Sequence, residues 1–184
     1  MNIGFYILGK KGYVALCEFV KYFGSDSVAF VVAARDGSIE NDWYSEIIKM
    51  NHANGLNSFT RNEFNNDSLP NSDFNFAIGW RWLIKEPANL VVFHDSLLPK
   101  YRGFSPLVNM LIDGCDEIGV TALIASDEYD KGAIIYQSRK KITYPLKISD
   151  AIEKIIPLYT ELAIKIAEDI KSDGDLNVFP QDES

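Results

Sequence analysis

The sequence predicts an α/β fold in which a mostly parallel, twisted sheet carries helices on both faces. Three observations support this. Apolar runs at residues 3–8, 27–34, 74–78 and 90–94 are short and nearly continuous, as strands covered on both faces are. Between and after them lie stretches with apolar residues at helical spacing, notably 12–23, 105–112 and 148–170. Strand and helix patterns alternate, which selects a parallel sheet over an all-β or all-helical arrangement.

In chain order, residues 3–8 are a buried strand that stops at Gly9. In 12–23, Val14, Leu16, Phe19, Val20 and Phe23 define a helix, and Gly24 is placed to cap it. Residues 27–34 are the second strand, 42–50 a helix followed by Gly55, and 56–59 a weak strand. The stretch 62–72 is rich in Asn, Asp and Ser and reads as loop or short helix. Strand 74–78 stops at Gly79, and 82–85 form one helical turn ended by Pro87. Strand 90–94 comes next. Helix 105–112 has Pro106 near its start and Gly114 past its end. Strands follow at 119–125 and 133–137, with a loop at 127–132. The longest helix, 148–170, would be capped by Ser149 and kinked or interrupted at Pro157. Residues 1–172 thus form a single Rossmann-like domain with right-handed crossovers. Residues 173–184 are a polar, acidic, frayed tail. Ligands of such sheets bind beyond the carboxyl ends of the strands. Gly79, His94 and Ser126 all fall there and should lie near one another.

Composition narrows the function. The chain's 184 residues suffice for one well-buried core, and 47% hydrophobic content argues against disorder. A net charge of −8, with Arg139, Lys140 and Lys141 the one short basic run, disfavours a nucleic-acid partner. Cys17 and Cys115 read as unpaired thiols in a reducing compartment, and no metal-ligand spacing exists. The N-terminus lacks the features of a signal peptide, and no apolar run approaches the roughly 18 residues of a membrane span. A cytoplasmic protein is expected. The Gly9-Lys-Lys-Gly turn at residues 9–12 either cradles a phosphate at a helix N-terminus or is a plain strand-to-helix turn. His52 reads as a surface residue, and Trp43 and Tyr44 as packing residues.

The chemistry lies in residues 91–106, Val-Val-Phe-His-Asp-Ser-Leu-Leu-Pro-Lys-Tyr-Arg-Gly-Phe-Ser-Pro, and in two later blocks, 119–121 (Gly-Val-Thr) and 130–137 (Asp-Lys-Gly-Ala-Ile-Ile-Tyr-Gln). Together they resemble the signature of folate-dependent formyltransferases. That family formylates amines on methionyl-tRNA, glycinamide ribonucleotide and nucleotide-linked amino sugars. The resemblance implies N10-formyltetrahydrofolate as donor and His94 and Asp130 as catalytic residues. It implies a pterin site made by Gly79, Trp80, Arg81, Trp82 and Leu83 together with Asp127, Glu128 and Tyr129. It also implies an acceptor-facing loop containing Ser96, Lys100, Tyr101, Arg102 and Gly103. Leu97, Leu98 and Pro99 would turn the chain beneath the site. Trp80 and Trp82 as plain core aromatics, and Arg102 as an ordinary salt-bridge residue, remain alternatives.

These residue types suit the reaction. An amine attacking a formyl carbon creates an oxyanion that needs preorganised donors. The amine loses a proton and the leaving nitrogen gains one. A histidine can donate or shuttle, and a neighbouring carboxylate orients it and favours its charged form.

The pattern breaks at one position. The family places asparagine two residues before the histidine, and this chain has Val92. Val92 shares a strand face with His94 and cannot donate a hydrogen bond. Loss of one oxyanion donor costs roughly 3 kcal/mol, on the order of a hundredfold in rate. Ser96, Ser126 or a backbone amide could substitute; alternatively the enzyme is slow, or the domain binds without transferring formyl. Asp95 stands where Pro or Gly is usual, and would either charge His94 further or cap the next turn. The acidic balance, the unmatched loop at 9–13 and the 100–103 loop together favour a small-molecule amine, a nucleotide-linked amino sugar first, over tRNA or glycinamide ribonucleotide. The end of the chain after one domain fits the same expectation. No membrane partner is expected, and a homodimer is left open.

Overall fold

The computed structural model describes residues 1–62, 68–84 and 89–182. Seven strands follow the order β3-β2-β1-β4-β5-β6-β7. The chain divides into two compact units, Met1–Val91 and Val92–Ser184.

The first unit contains β1 (Ile3–Ile7), α1 (Gly9–Phe23), a 3-10 turn at Ser25–Ser27, β2 (Val28–Ala33), α2 (Tyr44–Ala53), β3 (Ser58–Thr60) and β4 (Phe74–Ile78). β1 pairs in parallel with β2 and β4, and β2 with β3. Every residue of β1, β2 and β4 is buried, as their unbroken apolar runs require. Phe5 and Phe76 from the strands meet Phe19 of α1 edge to face, with ring centroids 4.9 to 6.4 Å apart. Such contacts add to the area the rings bury.

β5 (Leu90–His94) spans the boundary between the units. The second unit continues with α3 (Pro106–Ile112), β6 (Glu117–Ile124), β7 (Ile134–Lys141) and α4 (Ile148–Asp173). β7 runs antiparallel to β6. It is longer than its apolar run because Arg139, Lys140 and Lys141 pair with Gly119, Ile118 and Glu117 while their side chains stay exposed. α4 contacts β6 and β7. It buries Ala151, Ile155, Tyr159, Leu162, Ile166 and Ile170 at helical spacing.

Four expectations are corrected. α4 continues through Pro157. This proline is exposed while Ile155, Ile156, Leu158 and Tyr159 around it are buried, so packing holds both flanks and water can reach the carbonyl left without its N–H partner. The N-cap of α4 is Lys147, not Ser149, and no side chain bonds there. Residues 82–84 form no helical turn; residues 85–88, like 63–67 of the polar stretch, lie outside the described residues. The 173–184 tail is not frayed at Phe179, whose N–H and C=O both bond Ile134 of β7. Among the described residues no helix is long and apolar enough to cross a membrane.

Candidate active site

Gly79 follows β4, His94 ends β5 and Ser126 lies two residues past β6, so each stands at the carboxyl end of its strand. Gly79 belongs to the first unit, the other two to the second.

In the second unit, the turn after His94 is held from beneath. Thr121 of β6 is fully buried and uses its whole hydroxyl: it donates to the Ser96 carbonyl at 2.6 Å and accepts from the Leu98 N–H at 3.0 Å and from Gln137 Nε2 at 2.9 Å. One donor and two acceptor positions exhaust a hydroxyl. Gln137 Nε2 also donates to the Leu98 carbonyl at 2.8 Å. Leu97, Leu98 and Pro99 do turn the chain, with the Leu98–Pro99 bond cis. Ser96 is fully buried and donates to the Lys100 carbonyl at 2.7 Å. It therefore closes the turn. This corrects its assignment to the acceptor and removes it as a stand-in oxyanion donor.

His94 is 8% exposed. Its Nε2 lies 2.8 Å from the Tyr101 carbonyl, and a carbonyl only accepts, so Nε2 donates. Its Nδ1 lies 3.4 Å from Asp130 Oδ1, while Asp130 Oδ2 accepts the Gly103 N–H at 2.9 Å. Asp130 adopts a left-handed conformation, φ 57°. Gly132 follows because a Cβ there would collide with the Ile124 carbonyl oxygen at the end of β6. The structure thus brings His94, Tyr101, Gly103 and Asp130 into one closed ring. With Nε2 donating to a carbonyl, a proton carried on Nδ1 would point at Asp130 Oδ1.

Tyr101 and Gly103 enter this ring through backbone atoms. The Tyr101 hydroxyl instead lies 3.2 Å from Cys115 Sγ and donates to Asp113 at 2.8 Å, and these two neighbours push its phenol well above the usual tyrosine range. The hydroxyl is therefore tied to the end of α3 and the residues just after it. Arg102 is engaged by the tail: its Nε and Nη2 donate to Gln181 Oε1 at 3.0 and 2.6 Å. Lys100 is exposed. The Tyr159 hydroxyl of α4 donates to Asp95.

The 127–129 loop faces solvent, with Tyr129 80% exposed. Ser126 Oγ donates to the Glu128 carbonyl at 2.8 Å, so it too has a partner. The Lys131 ammonium, 2.6 Å from Glu128, holds that carboxyl below the usual carboxylate range, with a smaller contribution from Arg102.

In the first unit, Gly79 has φ 67°, and a Cβ there would sit 2.5 Å from the Leu8 carbonyl oxygen. Only glycine fits that combination comfortably. Trp80 stacks edge-on against Tyr6 and Trp82. Its Nε1 is buried and has no hydrogen-bond partner among the described residues. Arg81 pairs with Asp36 at 2.8 Å, so its guanidinium anchors the loop. That is a correction for a residue assigned to the cofactor. Bonds from Ser38, and then Arg81, lower the Asp36 carboxyl. Trp82 carries the Arg61 guanidinium 4.3 Å from its ring centroid, and Leu83 is 74% exposed.

Three residues of the site were not singled out from the sequence: Thr121, Gln137 and Gln181. The first two lie inside the matching blocks, yet a lone polar residue in an apolar strand carries no signal of its partner.

Residues 77–157 match the formyl transferase family. The match covers less than half of the chain. The methionyl-tRNA formyltransferase of Thermotoga sp. strain RQ2 is 40% identical over 92 residues, which is 50% of this chain and 29% of that protein. The chain therefore matches under a third of the relative's length. Among solved structures, an N-formyltransferase from Helicobacter canadensis, in complex with folinic acid and dTDP-3-aminofucose, superposes with a TM-score of 0.79 at 20% identity, covering 98% of this chain and 67% of its own. A phosphoribosylglycinamide formyltransferase from Bacillus halodurans superposes with a TM-score of 0.73 at 16% identity, covering 95% and 97%. At these identities the superpositions establish the shared fold.

Proposed function

We propose that the protein is a formyltransferase that moves a formyl group from N10-formyltetrahydrofolate to the amine of a small molecule, a nucleotide-linked amino sugar first among them. The observation that carries this reading is the closed ring of His94, Asp130, Gly103 and Tyr101 within a segment of the formyl transferase family.

The folate supplies an acyl carbon already bonded to a nitrogen that can leave. His94 takes a proton at Nδ1 as the acceptor amine sheds it, and returns it to the departing nitrogen. Asp130 holds the imidazole in place and balances the charge it gains. The first-unit loop fits a flat heteroaromatic ring: Gly79 allows close backbone approach, Trp80 Nε1 has no acceptor among the described residues, and Leu83 offers exposed apolar surface. Trp82 completes that loop.

The net charge of −8 turns the acceptor from tRNA toward a small amine, although the sequence relative is named for methionyl-tRNA. The neighbour solved with dTDP-3-aminofucose supports the sugar.

Val92 favours a second reading, a folate-binding protein that transfers formyl slowly or not at all. Titration of the full chain with 5-formyltetrahydrofolate, followed by tryptophan fluorescence, tests both. Saturable quenching is expected. Its absence would remove the folate from either reading. Saturation without formylation of any amine in a panel of amino sugars would select the second.

A further inference from the structure

The tail beyond α4 returns to the site. Phe179 makes its two-bond bridge with Ile134, the first residue of β7. Two residues on, Gln181 inserts its amide between two loops. Its Oε1 accepts both bonds from Arg102, and its Nε2 donates to the carbonyls of Asp130 at 2.7 Å and Gly132 at 2.9 Å. Two donor hydrogens and two acceptor positions are all that a glutamine amide has, and each is matched here.

The partners are not arbitrary surface groups. Asp130 and Gly132 are the turn that aims the carboxylate at His94, and Arg102 sits between Tyr101 and Gly103, whose backbone atoms bind His94 and Asp130. The amide therefore links the same two loops that are joined through His94 and Asp130.

We infer that Gln181 is a positioning residue for the His94–Asp130 pair. It fixes the spacing between the 101–103 and 130–132 loops, and through it the alignment of Nδ1 with Oδ1. Its consequence for catalysis rests on the formyl-transfer reading; the positioning itself does not. No other side chain of similar size supplies both halves of the contact. Glutamate could still accept from Arg102 but could not donate to the two carbonyls.

The test uses the full chain labelled with ¹⁵N, because its two histidines, His94 and the exposed His52, give separate ring-nitrogen signals. Gln181→Ala and the near-isosteric Gln181→Glu are compared with the wild type. Both substitutions should shift the His94 ring signals while those of His52 stay in place. Unchanged His94 signals in either folded variant would overturn the inference. So would collapse of both variants to unfolded spectra, which would make Gln181 a structural residue only. A 5-formyltetrahydrofolate titration of the wild-type sample separates the two claims: shifted His94 signals with no folate binding would sink the proposed function and leave the positioning role standing.

Discussion

The two units of the chain are held together by different means. In the first, the interior is built from apolar strands and edge-on rings, with Phe5, Phe19 and Phe76 at its centre and fully buried. In the second, α4 covers β6 and β7 with aliphatic side chains, but a chain of buried and half-buried polar groups runs through the structure as well. Thr121, Gln137, Ser96, His94, Asp130 and Gln181 join segments between 4 and 79 residues apart. Apolar packing is non-directional and tolerates small displacements. Hydrogen bonds fix atoms in distance and angle. The His94–Asp130 pair lies in the unit whose loops are pinned by directional contacts.

Three substitutions would sharpen or break that contrast. Phe76→Ala in the first unit should lower unfolding stability by about 3–5 kcal/mol, read as a shift in urea midpoint with unchanged slope. A loss near zero would mean that the aromatic centre is not what stabilises that unit. Val92→Asn in the second should raise formyl transfer on the order of a hundredfold, equivalent to roughly 3 kcal/mol of barrier, measured as kcat with a saturating amine. A flat or lower rate would show that another donor already serves the oxyanion. Thr121→Val keeps the shape and deletes the hydroxyl, leaving the Ser96 carbonyl and the Leu98 N–H without that partner. It should cost about 1–3 kcal/mol, again by urea denaturation. A cost matching that of Phe76→Ala would erase the distinction between the two modes of support.

The legible parts of the fold were those written in local pattern. β4 and β5 fall on the apolar runs at 74–78 and 90–94 because a doubly covered strand must be apolar at every position. His94 and Asp130 were legible because their neighbours form a signature, and the structure brings the pair together. Pro157 misled because local propensity was weighed without the burial of its flanks. Arg81 and Ser96 misled because adjacency to a site does not say which way a side chain points; one reaches Asp36 and the other Lys100. Gln181 was illegible for another reason. Its partners Asp130 and Arg102 are 51 and 79 residues away, and a single glutamine in an acidic tail has neither periodicity nor motif to announce them.

The return of residue 181 onto the 101–103 and 130–132 loops also has a consequence for the order in which the molecule is made. Synthesis runs from the N-terminus, so on the ribosome every strand and helix named above emerges before the clamp does. A nascent chain can have β5 to β7 and α4 in place while its two loops still lack the amide that joins them. The alignment of His94 with Asp130 would then be among the last features to be completed, after the fold that carries it.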